Sequence, residues 1–470
     1  MVFWEKSPFG YKCATKKIQT KNGVRLYIDV FYYLCRQILL PDSIFIMSAT
    51  IIKTDAQGIT VQVFIPIPEG KGKLGMLDRE NLIQQGVNQA GMLATEYALS
   101  QFDTDGSPIT VKGKKHTSKG IVPKSYQTPY GEIMLCRHVY QTNAGGCTFC
   151  PLENDARIIT GSTPKLAKMV SSKYSQSPAS GVQKDMEDNH GRHLSKQYIQ
   201  SLSQSIGSLI AEKKNWNYKI DVAAENVSAV GISLDGTCML LSGEGYRQAM
   251  VGSISLYDSC GERLYTRYTA LPPEYGKARF YRTFAEEIKR TGKLYPKARY
   301  IGIADGAADN WSFLKPYVQE EILDFFHASE YISKAAKASF KRGFEAGKWT
   351  EEACHRLKNG EDGAEYVLTE MKSFLKKRIK DEKKEIVESA ITYFTNHLHQ
   401  MDYYKYQKNH YPIGSGVIEA ACKVIIKQRL CNSGMRWTDN GARTVLALRC
   451  FNKSDGIWEQ FWNKINRHGK

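Results

Sequence analysis

The strongest constraint on this chain lies between about Glu225 and Ile332, where apolar strands and one amphipathic helix follow in a fixed order. "NVSAVGISLDGTCMLL" is an apolar run carrying Asp235, and "RQAMVGSISLYDSCGERLYTRYTAL" reads as two strands joined at Asp258-Ser259-Cys260-Gly261. "KARFYRTFAEEIKRTG" spaces its apolar residues as a helix does, and "ARYIGIADG" returns to a strand. A short helix containing Trp311 then leads to "EEILDFFHASEYI", which reads as a fifth strand. Strands linked by tight turns pair antiparallel, whereas strands reached across a helix need a crossover and pair parallel. The segment therefore specifies an α/β domain built on a mixed sheet.

Three hairpin strands, a helix and two crossover strands is the order of a ribonuclease-H-like sheet, in which the first and fourth strands are neighbours. Asp235 sits within or at the end of the first of these strands. Asp305 closes the fourth, and Gly306, Ala307 and Ala308 leave room in front of it. Glu419 opens the helix that follows the Gly-rich turn Gly414-Ser415-Gly416. Gathered at one place, three hard oxygen donors suit Mg²⁺ or Mn²⁺, which bind carboxylates and keep water or phosphate oxygens. Two such ions about 3.5–4 Å apart can activate an attacking hydroxyl and stabilise a leaving oxygen. Lys423 and Lys427, four and eight positions beyond Glu419, share its helical face, with Arg429 nearby. Lysines there would suit a DNA phosphate backbone entering the site; an ordinary Glu–Lys helix pair is the plain alternative.

The catalytic domain spans residues 225–460, and residues of about 334–410 break its rhythm. That charged, helical stretch, as in "EYVLTEMKSFLKKRIKDEKKEIVESAITYF", reads as an insertion. Upstream, residues 155–215 hold three helix starts: Ser162 or Thr163 before Pro164, Ser177-Pro178, and Ser195. Two short helices, a turn at Asn189-His190-Gly191 and a third helix form a helix-turn-helix-like DNA-binding domain, with a plain helical linker as the alternative. Its third helix offers Lys196, Gln197, Gln200 and Gln204 to base edges or phosphates. Residues 47–154 read as an N-terminal α+β region, with a strand alternating at Ile59, Val61, Val63 and Ile65, and a helix over about residues 77–102. A strand pair bending at Asn143-Ala144-Gly145-Gly146 completes it. Residues 1–46 read as a probable upstream extension, with Met47 opening a fresh segment; a short extra helix fits equally.

A formal net charge of +17 over 470 residues favours a polyanionic partner, nucleic acid before membrane, with a solvated basic surface that has no partner as the alternative. The apolar stretch "LYIDVFYYLCRQILLPDSIFIM" is interrupted by Asp29, Arg36 and Asp42, so no membrane span is expected. Eleven scattered cysteines in a long chain without a secretory pattern point to a reducing cytoplasm.

The set "SLDG", "ADGAADNW", "DFFHASEY" and "PIGSGVIEAACK" resembles bacterial insertion-sequence transposases of the DDE type, most closely the Kra-type group. "QFDTDGSPI", "SKGIVPKSYQTPYGE", "GGCTFCPLE" and "MVSSKYSQS" look like the N-terminal half of the same group, so the resemblance runs from about residue 80 to 450. It implies a ribonuclease-H-like catalytic domain, Mg²⁺ dependence, and binding to double-stranded DNA, both the element's terminal inverted repeats and target DNA. It further implies a homo-oligomer on DNA and a cytoplasmic, nucleoid-associated location in a bacterium. Onto this chain it carries Asp235, Asp305 and Glu419 as catalytic, metal-binding acids. The 114-residue spacing from Asp305 to Glu419 looks like the Mutator-like and hAT-like groups, which carry a helical insertion there. Those groups also place an acid or cysteine separated from a histidine by two residues, and Asp324 and His327 match. This adds His327 to the catalytic set as a hydrogen-bonding partner of a carboxylate or the scissile phosphate, with a buried structural histidine as the alternative. Some DDE groups carry a basic residue seven positions past the glutamate; here that residue is Ile426, so the role would pass to Lys423 or Lys427.

Cys136, His138, Cys147 and Cys150 form a candidate zinc set, with buried thiols as the alternative. Asp309 and Glu330 are further acids near the site, and Trp311 and Trp437 can either stack on unpaired bases or pack in the core. Two other functions fit the sequence: a non-catalytic DNA-binding protein derived from a transposase, and a host metal-dependent nuclease.

Overall fold

The computed structural model describes residues 47–67, 74–213, 217–376 and 381–469, and the strands β1 (Phe3–Lys6), β2 (Lys12–Lys17) and β3 (Tyr27–Asp29) of the first 46 residues. These three form a small antiparallel sheet. The rest of that stretch, on which the reading of an upstream extension depends, lies outside the described residues.

The N-terminal region pairs β4 (Ser48–Asp55) with β5 (Gly58–Phe64) and lays the long helix α1 (Met76–Ser100) against them. Gly86 lets α1 approach: a Cβ there would sit 2.7 Å from Ile65. A second sheet, in the order β6 (Ile109–Val111), β7 (Lys114–Gln127), β8 (Glu132–Thr142) and β9 (Gly145–Phe149), contains the expected hairpin as its β8–β9 pair. The helix α2 (Pro151–Asp155) leads on to three longer ones: α3 (Pro164–Gln176), α4 (Ala179–His190) and α5 (Lys196–Glu212). Thr163 precedes α3 with Pro164 in its first turn, and the Ser195 hydroxyl accepts from the Tyr198 amide to cap α5. Gly191, in the left-handed region at φ 59°, ends α4 and turns the chain toward α5.

The central sheet has the order β12-β11-β10-β13-β14. Its strands are β10 (Ala229–Leu241), β11 (Gly245–Tyr257), β12 (Arg263–Leu271), β13 (Arg299–Ala304) and β14 (Glu320–Leu323). β10, β11 and β12 pair antiparallel, whereas β13 and β14 run parallel to β10. The crossover to β13 is α6 (Ala278–Leu294), whose Phe280, Phe284 and Ile288 are buried on the sheet, and α7 (Ala308–Leu314) connects β13 to β14. Gly252 of β11 admits the Phe284 ring, which a Cβ would meet at 2.6 Å.

The fifth strand is shorter than the sequence suggests. β14 stops at Leu323, and "FFHASEYI" belongs to α8 (Phe325–Ser339). Asp324 causes the switch: its carboxylate accepts from the Phe326 and His327 amides, satisfying donors that a strand would have left to a neighbour. Ala328, Ile332 and Ala335 then bury one helical face. The inserted helices therefore begin with α8, earlier than residue 334, and continue as α9 (Gly343–Asn359), α10 (Gly363–Phe374), α11 (Asp381–His397) and α12 (Tyr403–Lys408).

The closing segment holds more than the single helix expected. α13 (Gly416–Ala421) passes through a π-helical turn (Cys422–Lys427) into α14 (Gln428–Leu430), and α15 (Asp439–Lys453) and α16 (Ile457–His468) follow. One core joins the sheet to α6 and the inserted helices, through residues such as Ile232, Ile254, Phe284, Ile332 and Phe394. The other joins Val251 and Leu241 to α3, α5, α13, α15 and α16, through Leu166, Ile206, Ile425, Val445 and Phe461. Residues 155–215 thus share a core with the C-terminal helices. Among the described residues no helix is long and apolar enough to cross a membrane.

Candidate active site

Asp235 and Asp305 both lie two residues beyond the Ser233–Ile303 pair that ends the β10–β13 ladder. Parallel neighbours are about 4.8 Å apart, and Asp235, within β10, and Asp305, in the bend just past β13, both follow the end of that ladder. Asp324 lies one residue beyond the Ala304–Leu323 pair, and its amide donates to the Ala304 carbonyl at 2.9 Å. Three carboxylates therefore stand at successive positions across β10, β13 and β14, on the carboxyl side of the parallel strands, where α/β sheets bind their ligands.

Each acid is oriented by a donor. The Gly236 amide donates to Asp235 Oδ1 at 2.6 Å, and the Cys422 thiol donates to Oδ2 at 3.3 Å. Burial pushes that thiol well above its ordinary pKa, and the Asp235 charge adds to the effect. Asp305 Oδ1 accepts from the Ala307 amide and the Asn310 side chain, each at 3.2 Å. Its own carbonyl accepts from the Tyr393 hydroxyl at 2.8 Å, so the insertion fastens the turn that carries it. Gly306 is required there: its φ is +97°, and a Cβ would meet Tyr393 and His397 at 3.1 Å. Ala307 and Ala308 are exposed and leave the approach to Asp305 open.

Glu419 reaches the same edge from α13. The Ser415 hydroxyl donates to Glu419 Oε1 at 2.8 Å, while the Ser415 amide donates to Asp324 Oδ1 at 2.8 Å. Ser415 thus joins the exposed Glu419 to the fully buried Asp324. Among the described residues, Asp324, His327 and Glu419 are the one group of three His, Cys, Asp or Glu residues whose ligand atoms all lie within 4.8 Å of one another. The expected trio of Asp235, Asp305 and Glu419 is not drawn together that tightly. Asp235 is tied to the Glu419 helix through Cys422, one turn on from Glu419, and Asp305 is Asp235's neighbour in the sheet. His327 lies 3.9 Å from Asp324 through its Nε2.

Hard donors at this edge fit a divalent cation. Among the described residues, Asp305 Oδ2 and Glu419 Oε2 carry no hydrogen bond while their partner oxygens are held in place. The zinc set does not gather. His138 turns its Nδ1 to Asp103 at 3.0 Å, Cys147 is exposed on β9, and Cys150 sits at the start of α2. No cluster involving these four residues forms among the described residues.

The π-helical turn changes the reading of the lysines. Lys423 and Lys427 are exposed, but the turn between them is wider than an α-helical one, so the four-and-eight spacing no longer fixes a shared face. Ile426 is fully buried, as its failure to supply a basic residue requires. The buried Arg449 holds the turn open, donating to the Val424 carbonyl, to Ile425 at 2.9 Å and to Ser175 at 2.5 Å. Burial, with Arg429 close by, pushes the Arg449 guanidinium down to about 10. Arg429 in turn donates to the Tyr174 carbonyl at 3.2 Å and lies over the Trp437 ring.

On α5, Lys196, Gln197, Gln200 and Gln204 are all exposed, and Ile199, Leu202 and Ile206 face inward. Trp311 is buried in the core, and Trp437 donates to the Leu430 carbonyl at 2.9 Å, so both are committed to packing. Asp309 is exposed, 3.9 Å from Lys277. No family model matches this chain, and no curated protein matches it.

Proposed function

We propose that the protein is a DNA transposase with a ribonuclease-H-like catalytic domain, cleaving and joining the ends of its own insertion sequence by two-metal phosphoryl transfer. The observation that carries this reading is the sheet order β12-β11-β10-β13-β14, with Asp235 and Asp305 each two positions past the last β10–β13 pair and Glu419 joined through Ser415 to Asp324 at the end of β14. In this reading Asp235, Asp305 and Glu419 hold Mg²⁺ or Mn²⁺, which when bound activates the attacking hydroxyl and stabilises the leaving oxygen. The chain's own part is to aim these carboxylates. The Ala307 amide and Asn310 fix Asp305 Oδ1 and Ser415 fixes Glu419 Oε1, leaving the second oxygen of each for a ligand, while Gly236 and Cys422 hold both oxygens of Asp235. In this reading His327, 3.9 Å from Asp324, would donate to a ligand carboxylate or to the scissile phosphate. Water first cleaves at an element end, and the freed 3′-hydroxyl then attacks target DNA; no protein nucleophile is needed.

The exposed polar face of α5, with Lys196, Gln197 and Gln200, would read the terminal repeats as the third helix of a helix-turn-helix-like unit. Lys423 and Lys427 would contact the backbone near the site. The net charge of +17 supports a nucleic-acid partner. A bacterial, nucleoid-associated location and a homo-oligomer on paired ends belong to the same proposal.

The test is strand cleavage and joining on DNA from the flanks of this reading frame, with Mg²⁺. Asp235→Asn, Asp305→Asn and Glu419→Gln should each abolish both steps, by a factor above about 10³, and leave end binding within about twofold. Chelation should do the same. Full activity in any of these variants removes that residue from the site, and activity in chelator removes the metal.

A further inference from the structure

The junction of α8 with α9 has features that no structural role explains. From Lys334 to Lys348 the chain carries Lys334, Lys337, Lys341, Arg342 and Lys348. Lys334 pairs with Glu330 and Lys348 with Glu352, whereas Lys337 and Lys341 lie within 4 Å of no acid among the described residues. Lys337, Lys341 and Arg342, joined by Lys383 from α11, border a cavity of about 450 Å³. Arg342 meets Glu345 at 3.8 Å, yet both are well exposed, and such a pair in water contributes little. Beside the cavity Phe344 is 83% exposed, the most exposed large apolar side chain among the described residues. A hydrophobic ring held in water amid cations contributes nothing to the core that α9 builds with Ala346, Ala353 and Leu357.

The glycines around it point the same way. Gly343 and Gly347 lie one turn apart in α9, and a Cβ at either would meet nothing within 4 Å. Neither has a positive φ. Glycine is a weaker helix former than alanine, and neither position has a turn or a close neighbour to require it. Bare helical backbone flanking an exposed ring and a cationic hollow suits close approach by something outside the chain.

We propose that this surface is a second DNA contact, seating backbone phosphates among Lys337, Lys341, Arg342 and Lys383 and stacking an unpaired base on Phe344. The inference rests on the reading of the protein as a transposase. Charge complementarity favours DNA over other occupants: four cations border the cavity, and Glu351 is the acid among its lining residues. Its position fits as well. Lys337 follows His327 by ten residues along α8, a rise of about 15 Å, which is roughly four to five base steps of a duplex. A DNA end with its scissile phosphate at the acids would cross this surface a few nucleotides away, where a cleaved end has strands free to unstack.

The experiment uses the full chain and DNA from both flanks of the reading frame, with 2-aminopurine placed at successive positions within about six nucleotides of the cleaved end. The combined variant Lys337→Ala, Lys341→Ala, Arg342→Ala, Lys383→Ala should weaken end binding at least tenfold and flatten the salt dependence by roughly three. Phe344→Ala should abolish a position-specific change in 2-aminopurine fluorescence, and Phe344→Trp should restore it. All these side chains are exposed or border open solvent, so the melting temperature should stay unchanged and serves as the folding control. Unchanged affinity and fluorescence in the variants, beside normal binding and cleavage by the unsubstituted protein, overturns this inference alone. Absence of binding by the unsubstituted protein overturns the transposase reading and this inference together. Loss of self-association with DNA affinity intact also overturns it, by assigning the surface to a second copy of the chain.

Discussion

Asp324 is fully buried and accepts from three backbone amides, those of Ser415, Phe326 and His327. It stops β14, starts α8 and anchors the turn before Glu419. Asp324→Ala should cost about 3 kcal/mol, because several buried donors lose their partner at once. Asp324→Asn keeps one oxygen acceptor for the Ser415 amide and should cost about half as much. Urea unfolding checks the ranking, and equal losses would show that the amides find other partners. In the sequence this residue was visible only as one half of an acid–histidine pair. Asp235 and Asp305 were legible because a carboxylate within an apolar run, or closing one, stands out. Asp324 stood inside the run "EEILDFFHASEY", whose apolar letters suit strand and helix alike. Capping geometry decides between the two, and that depends on which amides lack partners in three dimensions.

At the scale of elements, hairpins and amphipathic helices were readable because their patterns are local: the turn at Asp258, the caps at Thr163 and Ser195, and the apolar face of α6. The π-helical turn was not, since nothing in "CKVIIK" marks it. Its cause is Arg449, distant in sequence, which takes up carbonyls of Val424 and Ile425. Arg449→Met should therefore cost about 2–4 kcal/mol, leaving buried carbonyls of the turn and of Ser175 without a donor. Lys423→Met, on the exposed side of the same turn, should change stability by less than about 0.5 kcal/mol. Thermal and denaturant unfolding of the pair separates the two. The N-terminal zinc candidate failed for a related reason: spacing brings cysteines near one another along the chain, but Asp103 claims the histidine.

For the whole molecule, the boundaries drawn from sequence describe segments rather than separable bodies. Ile199, Leu202 and Ile206 of α5 pack into the same core as Val445, Leu446 and Phe461. A fragment beginning at residue 217 would leave that apolar face of α15 and α16 in water. It should be insoluble or molten, with loss of sharp thermal unfolding, whereas a cooperative transition in the fragment would show that the C-terminal part folds alone.

The two buried arginines extend this dependence to the segment that carries Glu419. Arg429 and Arg449 grip carbonyls at the end of α3 and so rivet the Glu419 segment to the helices proposed to read DNA. Under the proposed function, a tilt of those helices as they seat on an end would be passed through these bonds to the segment that carries the glutamate. On that proposal, recognition of an end and alignment of the proposed metal-binding acids would be two aspects of a single displacement.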